Sequence, residues 1–304
     1  MAWNRVARLI IGASPKIRGG GAVLESTALD VSALHFEFTV TQAIAFEDGT
    51  AEITIFNMNN TSRSSVTEGL SVIIEAGYED AGVGAIFVGE IRQVRHSHSS
   101  TDWITKIKAT SGRPVLSRLA NTSVTLTYRS GAKLSQIIEE IGVGIGVMVT
   151  GAENISDVVL QNGFYYCGRY QPLINRIRSE LAARQVGFYV DFNQMVIYKV
   201  GSPSDIRIVS LDQTSGLLEA KLLRTAAELS TAMNAKKHKV AVTKADLRDR
   251  ITFTSLLLPK IRPNKLVHIV GAEIVGNFLV EKAKYIGDNY GKEWKIEGEA
   301  THAS

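Results

Sequence analysis

The segment Ile86-Phe87-Val88-Gly89-Glu90, followed by the acid–Trp pair Asp102-Trp103, occurs twice in the chain and indicates its architecture. Near the other end, Asn277-Phe278-Leu279-Val280-Glu281 precedes Glu293-Trp294. The offset is constant, since 278 − 87, 281 − 90 and 294 − 103 are each 191. In both copies an apolar run crosses a polar turn and returns through alternating residues, which indicates a β-hairpin with one buried face. The sequence therefore predicts a duplicated β unit.

The flanking sequence extends each copy into an all-β segment. Leu34, Phe36, Phe38 and Val40 alternate with polar residues, and Glu47-Asp48-Gly49 predicts the tight turn of a hairpin. Further strands are predicted at about 70–77, 85–96 and 103–110 in the first segment. In the second they are predicted near 236–243, 250–258, 265–271, 277–286 and 293–301. Residues 222–235 favour a helix by propensity and a strand by context, so that choice stays open.

The segment between the two β units has a different periodicity. Leu134, Ile137, Ile138 and Ile141 follow helical spacing, with Gly142 as the predicted stop. A second helix is predicted from Pro172 to Gly187, followed by a hairpin over 188–198. We therefore expect a mainly β chain (α+β overall) with two related tube-like antiparallel β-barrel domains, 1–120 and 206–304, and an α+β module at 121–205.

Composition excludes several classes of protein. The chain has 304 residues, a formal net charge of +4 and a single cysteine, Cys167, so we expect neither an internal disulfide nor a cysteine-based zinc site. It has no apolar run of membrane-spanning length and no signal-peptide pattern, so synthesis in a reducing cytoplasm and no membrane insertion are expected. Eight Lys/Arg against three Asp/Glu lie between 221 and 250. Lys236, Lys237 and Lys239 form either a solvated surface or a basic contact face for an acidic partner or a passing polyanion.

The sequence contains no motif that predicts catalysis. Gly142-x-Gly144-x-Gly146 follows a predicted helix instead of opening one, which argues against a phosphate loop. His96-x-His98 could place two imidazoles on one strand face, but no third ligand is near in sequence. Neither Gly-x-Ser-x-Gly nor His-Glu-x-x-His occurs. We therefore predict no enzyme, no cofactor and no metal ligand.

The repeated residues are the candidates for an assembly role. Each tryptophan is expected to seal a barrel or to anchor an interface. The residues carrying this expectation are Phe87, Glu90, Trp103, Phe278, Glu281 and Trp294.

The order of these motifs resembles the baseplate hub proteins of contractile phage tails, a group related to the late-control tail proteins. It is also similar to the amino-terminal hub part of type VI secretion spike proteins. The resemblance covers nearly the whole chain and rests on the order of loose motifs. They are Phe36-x-Phe38-x-Val40, Ala51-x-Ile53-x-Ile55-Phe56-Asn57, Gly77-Tyr78, the first repeat, Ser215-Gly216-Leu217-Leu218, Leu256-Leu257-Leu258-Pro259 and Gly287-Asp288-x-x-Gly291-x-x-Trp294.

The resemblance implies a structural role in the virion. Such hubs are homotrimers whose two barrels per chain form a pseudo-sixfold ring between the sixfold tail tube and the threefold central spike. The implied partners are a second copy of the chain, the tail tube or tube-initiator protein, the central spike, the baseplate wedge and the tape-measure protein. DNA would pass through the ring only in transit.

Three other interpretations remain open at this stage. One is a peptidoglycan hydrolase carried in a tail, although no acid pair for it is found. Another is a receptor- or carbohydrate-binding β protein, which exposed aromatic platforms would support. The third keeps the fold but assigns it to a tailocin or type VI-like injection machine.

Overall fold

A computed structural model gives the fold over residues 4–12, 28–44, 49–111, 123–191, 194–200, 208–223 and 250–303. Strands make up most of these ranges, which confirms the predicted mainly β class. No helix within them is long and apolar enough to cross a membrane. The domain boundaries predicted near 120 and 205 fall outside the described residues, as do the turn at 47–48 and the strand near 236–243.

The first β unit is formed where the sequence alternates. Phe36, Phe38 and Val40 are buried and Glu37 is exposed, which is the period-two pattern of a strand covered on one face. A short helix, α1 (Asn60–Ser65), begins at Asn59, whose side chain accepts a hydrogen bond from the Ser62 N–H. The strands are β1 (Arg5–Gly12), β2 (Leu29–Asp30), β3 (Phe36–Ala43), β4 (Thr50–Phe56), β5 (Ser71–Tyr78), β6 (Gly82–Ser99) and β7 (Asp102–Thr110).

The middle module has its own hydrophobic core, into which the apolar stripe of each helix packs. Its helices are α2 (Leu134–Ile145) and α3 (Tyr170–Ala182), with a 3-10 turn at Ala152–Ile155. Its strands are β8 (Ser123–Tyr128), β9 (Ala132–Lys133), β10 (Met148–Thr150), β11 (Val159–Leu160), β12 (Phe164–Arg169), β13 (Val186–Asp191) and β14 (Gln194–Lys199). They form a three-stranded sheet, β10-β14-β13, and two strand pairs, β11-β9 and β12-β8.

Both predicted helix ends in this module are wrong. Helix α2 does not stop at Gly142 but continues to Ile145, and Gly146 adopts the left-handed conformation (φ 72°) that terminates it. Helix α3 begins at Tyr170 and ends at Ala182, not at Gly187. Pro172 lies in its first turn, where the missing N–H is not needed for helix bonding.

The second β unit supplies the remaining strands of the main sheet. They are β15 (Ile208–Leu211), β16 (Leu217–Leu223), β17 (Arg250–Leu256), β18 (Leu266–Val270), β19 (Val275–Asp288) and β20 (Trp294–His302). Leu222 and Leu223, at the start of the segment whose structure the sequence left open, belong to strand β16. The rest of that segment lies outside the described residues.

Both β units share one sheet and one core. The strand order is β16-β17-β20-β19-β3-β4-β7-β6-β5-β1-β2, with β18 and β15 continuing beside β19. Strand β3 of the first unit pairs antiparallel with β19 of the second from Ala43–Lys282 to Glu37–Asp288. Among the described residues this pairing does not close into a barrel. The two predicted barrels therefore remain a prediction, whereas the junction between the two units is a strand pair.

A tyrosine in the middle module reports on its packing. Tyr128 of β8 donates a hydrogen bond to Glu140 of α2. Burial, this hydrogen bond and the carboxylate charge raise the pKa of Tyr128 from 10.0 to about 12. Because the pKa is higher in the folded chain, the neutral phenol stabilises the fold fully below pH 10.0 and this contribution is lost as the pH rises towards 12. We expect Glu140→Gln to lower this pKa in a phenolate absorbance titration.

The matched control for that titration is Glu139→Gln. Glu139 neighbours Glu140 on α2 and is exposed, but neighbouring helical residues point in different directions. The substitution Glu139→Gln should leave the raised pKa of Tyr128 unchanged. Equal shifts in the two variants would contradict the assignment to the Tyr128–Glu140 pair.

Candidate assembly surface

The repeated hairpins have the same irregularity in the same place. The outgoing strand β6 has a β-bulge between Ile91 and Gln93, where its register with β7 shifts by one residue. The outgoing strand β19 has a bulge between Val280 and Lys282, where its register with β20 shifts. A β-bulge inserts one unpaired residue and bends its strand, so both hairpins bend at the corresponding point.

The bulges correct the predicted alignment of the two copies. Ile91 lies opposite Ala109, and Val280 lies opposite Ala300. On the return strands 300 − 109 is 191, as predicted, but on the outgoing strands 280 − 91 is 189. The turn of the second hairpin holds the two additional residues. Trp103 and Trp294 are therefore structural equivalents, whereas Phe87 and Phe278 are not.

An exchange of two residues explains why the sequence suggests the other offset. In the first hairpin the ring of Phe87 lies over Gly89, with a ring carbon 2.6 Å from where a β-carbon on that glycine would be. In the second hairpin Phe278 lies beside Gly276, with the corresponding distance 3.4 Å. One copy thus has Phe-x-Gly and the other Gly-x-Phe at equivalent positions. Aligning phenylalanine with phenylalanine shifts the strands by two residues.

Glu90 and Glu281 also occupy different positions. Glu90 accepts an ion-paired hydrogen bond from Arg92 at 2.8 Å. Glu281 lies within the bulge of β19, where it accepts a hydrogen bond from Thr301 Oγ1 at 2.9 Å and lies 3.7 Å from Arg250. Its equivalent at the bulge of β6 is Arg92. Each glutamate therefore accepts a hydrogen bond from a residue of its own hairpin.

Trp103 lies on the surface. Its side chain is 41% exposed at the start of β7, and the Arg63 guanidinium of α1 stacks 3.7 Å from the ring centre. His98 contacts the ring edge-on, with 4.9 Å between centroids. A ring that is this exposed does not fill the interior of a barrel, so the first of the two predicted roles does not apply to Trp103. The other role, an aromatic anchor of an interface, stays a prediction.

Trp294, at the equivalent position, is buried. It is 3% exposed, and Phe38 of β3 meets it edge-to-face at 5.7 Å. The Arg5 guanidinium of β1 lies 5.8 Å from its ring centre. Trp294 therefore joins strands β1, β3 and β20, and it does so at the junction between the two β units.

The turn of the second hairpin locks that junction. Asp288 Oδ1 accepts hydrogen bonds from the N–H groups of Tyr290 (3.0 Å) and Gly291 (2.7 Å) and lies 3.0 Å from His35 Nε2. Burial raises the pKa of Asp288, but the two backbone N–H groups and His35 outweigh it, so its pKa is lowered overall. We call Asp288, Asn289 and His35 the turn lock.

Asn289 adds the second half of the turn lock. Its side-chain oxygen accepts from the Phe36 N–H at 2.9 Å, and its side-chain nitrogen donates to the Leu34 carbonyl at 2.8 Å. These bonds join residues separated by more than half the chain. Nothing local in the sequence predicts the partner, although Asp288-x-x-Gly291 is typical of a turn.

Two residues of the turn lock, His35 and Asp288, belong with Glu37 to the one grouping of metal-type ligands among the described residues. Ligand atoms of His35, Glu37 and Asp288 lie within 4.8 Å of one another. However, Asp288 Oδ1 already has three polar neighbours, which leaves this oxygen little capacity for a cation. The arrangement is that of a hydrogen-bonded junction.

The outer faces of the two hairpins differ in charge. In the second hairpin Lys282 pairs with Glu299 and Lys284 with Glu297, each at 3.4 Å. In the first, the equivalent cross-strand pairs are Gln93–Lys108 and Arg95–Lys106. Lys108 is paired with Glu52 of the neighbouring strand β4 at 2.8 Å, so the basic character of the first hairpin comes from Arg95 and Lys106, which lie opposite each other. In the second hairpin both lysines have acidic cross-strand partners. Like charges opposite one another are unfavourable in the isolated chain, and an acidic neighbour would relieve them.

The remaining candidates do not form a site. His96 contacts Thr105 Oγ1 at 3.0 Å, and within the described ranges neither His96 nor His98 belongs to a group of three ligand-type side chains. Burial and the nearby charge of Arg63 lower the pKa of His96. The predicted basic face of Lys236, Lys237 and Lys239 lies outside the described residues.

Comparison with known proteins gives a family match over most of the chain. The family model described as baseplate hub gp41 matches residues 46–243. No curated protein sequence matches the chain.

Solved structures of tail proteins have the same fold. The tail protein from Neisseria meningitidis MC58 superposes with a TM-score of 0.62 at 11% identity, covering 99% of this chain and 97% of that one. The 43 kDa tail protein of prophage MuSo2 from Shewanella oneidensis gives 0.60 at 12% identity, covering 97% of each chain. The E. coli c3393 protein, a type VI secretion component described as similar to the T4 tail proteins gp27 and gp5, gives 0.58 at 10% identity over 89% of this chain and 74% of that one.

Proposed function

Because the chain belongs to the baseplate hub gp41 family, we propose that three copies form a closed ring that joins the sixfold tail tube to the threefold central spike of a contractile tail. Membership makes the chain a structural component of a phage tail baseplate and not an enzyme. The ring, its symmetry and its neighbours are the proposal.

The internal repeat supports this proposal most strongly. Two hairpins of one chain carry a bulge at the same position and share their return-strand register. Three chains would supply six similar hairpins, which matches a sixfold tube. The ring would contain only three copies of the whole chain, which matches a threefold spike. Closed rings arise when a head-to-tail interface has a rotation that closes.

The charge difference between the hairpins supports a threefold as well as a sixfold partner. Arg95 and Lys106 make the first hairpin basic, whereas Lys284 is neutralised by Glu297 in the second. Six hairpins of alternating charge have only threefold electrostatic symmetry. A threefold spike could therefore distinguish surfaces that a sixfold tube contacts through shape.

The proposed partners follow from this position in the tail. They are the tail tube or tube-initiator protein on one side, the central spike on the other, and the baseplate wedge and tape-measure protein beside them. DNA would pass through the channel only in transit. The same ring would serve a tailocin or a type VI-like machine.

Light scattering over a concentration series tests the proposed ring. We expect a mass near three times 33.1 kDa, alone or with the co-expressed spike protein. A monomer at every concentration that also fails to co-purify with the spike would contradict the proposal. Sugar-dependent binding by that monomer would then favour a receptor-binding protein, for which the exposed Trp103 would be the first residue to replace.

A further inference from the structure

The two outgoing strands have equivalent contacts up to their bulges. In β6, Ile91 donates to the Leu70 carbonyl at 2.8 Å and accepts from the Gly69 N–H at 2.9 Å. In β19, the Val280 N–H donates to the Lys265 carbonyl at 3.0 Å, and the Val280 carbonyl accepts from the Asn264 N–H at 2.8 Å. The equivalence of the two copies is therefore close at this point of the sheet.

Beyond the bulges the two strands differ. From Lys282 to Asp288, β19 pairs with β20 on one side and with β3 on the other. From Gln93 to Ser99, β6 pairs with β7 on one side, and no strand of the described residues lies on the other. Where the second copy has a partner strand, the first copy has an open edge.

The strand equivalent to β3 in the second copy is β16. Strand β4 lies between β3 and β7, and β17 lies between β16 and β20. In the first copy Thr41 lies opposite Thr50, which lies opposite Thr110 on the next strand. In the second copy Leu223 lies opposite Arg250, which lies opposite Thr301, the residue equivalent to Thr110. The equivalence places Leu223 at the position of Thr41 and Leu222 at that of Val40. Within the described part of the chain β16 ends the sheet, so it too has an open edge.

The side chains of β16 lack a cover that their equivalents have. Val40 is 0% exposed, whereas Leu222 at the same position is 55% exposed. Leu223 beside it is exposed as well. An exposed strand edge that carries large apolar residues is a template for pairing with another chain.

We infer that these two open edges pair with each other between copies, β16 of one chain running antiparallel to Gln93–Ser99 of the next. This inference rests on the proposed ring and states which strands close it. The pairing of β3 with β19 inside one chain gives the register of the contact. The predicted opposite residues are His98–Ala220, Ser97–Lys221, His96–Leu222 and Arg95–Leu223.

Side-chain size supports this register. Inside the chain the Phe38 ring lies against Gly287, and a β-carbon on that glycine would collide with the ring. The equivalent pair between chains is Ala220 with His98. Inside the chain the ring belongs to β3 and the small residue to β19. Between chains the ring would belong to β6 and the small residue to β16, so each pair combines one ring with one small residue.

A disulfide tests both the strands and the register. Cys167 is the one cysteine and is exposed, so the background is Cys167→Ser. Ser97→Cys with Lys221→Cys places the thiols on directly opposite residues, whose Cα atoms lie about 4.5–5.5 Å apart, within disulfide range. Six strands separate β6 from β16 along the sheet of one chain, so the expected bond joins two chains.

The matched control shifts one cysteine by two residues. Ser97→Cys with Glu219→Cys keeps the same strand face but makes a diagonal pair, about 7–8 Å apart. Lys221 and Glu219 form an ion pair with each other, so both variants lose the same contact. After mild oxidation we expect covalent trimers from the first variant and at least about tenfold less product from the control, because the diagonal spacing exceeds disulfide geometry.

The outcomes separate this inference from the proposed ring. A trimer by light scattering without the predicted disulfide, or with more product from the control, would overturn the strand pairing and leave the ring. Covalent chains longer than three copies would support the pairing and overturn the closed ring. A disulfide within one chain would overturn the pairing, and a monomer without any product would overturn both.

A substitution at Leu222 gives an independent measurement. Leu222→Glu buries a carboxylate in the predicted contact, and we expect the concentration for half-maximal trimer to rise at least about tenfold. Val143→Glu is the control, since Val143 of α2 is exposed but lies in the middle module. Far-UV circular dichroism should be unchanged in both. Equal trimer formation by the two variants would contradict the pairing.

Discussion

Replacing Trp294 by alanine is expected to lower the free energy of unfolding by roughly 3–5 kcal/mol, the range for large aromatic side chains removed from a core. Trp294 is 3% exposed, and its ring centroid lies 5.7 Å from that of Phe38. Its loss therefore leaves a cavity where β1, β3 and β20 meet. Urea unfolding followed by far-UV circular dichroism measures the change.

Trp103→Ala is the matched control for that experiment. Trp103 occupies the equivalent position but is 41% exposed, and it loses mainly the stacked Arg63. We expect a cost of about 1 kcal/mol or less, as for an exposed cation–π contact. The proteins are compared at equal concentration, because association stabilises the folded state. Equal losses in the two variants would contradict the different roles of the two tryptophans.

Replacing Asp288 by alanine is expected to cost roughly 2–4 kcal/mol, because a charged acceptor of several hydrogen bonds is removed from the junction between the β units. The lost partners are the N–H groups of Tyr290 and Gly291 and the His35 ring. Denaturant unfolding at neutral pH measures the loss. Asp212→Ala is a control with a similar local turn, since Asp212 accepts from the N–H groups two and three residues later but has no distant partner among its described contacts. A smaller loss is expected there.

The turn lock also predicts a dependence on pH. The pKa of Asp288 is lower in the folded chain than its ordinary value of 3.8. The charged carboxylate therefore contributes its full stabilisation above pH 3.8, and the contribution is lost as the pH falls through the folded value. The difference in unfolding free energy between the native chain and Asp288→Asn should shrink below about pH 4, near the ordinary pKa of aspartate. A difference that is constant down to pH 2 would contradict this.

The sequence predicts the strands well because they are regular and locally encoded. The alternation through Phe36, Phe38 and Val40 and the repeated acid–Trp pair both correspond to real strands of the sheet. The mainly β class and the baseplate hub resemblance are confirmed.

Other features depend on packing that local patterns do not contain. Gly142 looks like a helix stop, yet α2 continues past it to Ile145. The glycine serves packing instead, because a β-carbon at this position would collide with Val149. The alignment of the outgoing strands fails because the Phe–Gly pair is reversed between copies. His35 and Asp288 meet across 253 positions, and no spacing rule predicts that contact.

Electron microscopy of the hub co-expressed with its spike would show the proposed ring itself. We expect class averages of a threefold ring with six similar hairpin densities around an open centre, alternating between the two repeats. A complex with one or two copies of the chain, or a ring without threefold symmetry, would contradict it.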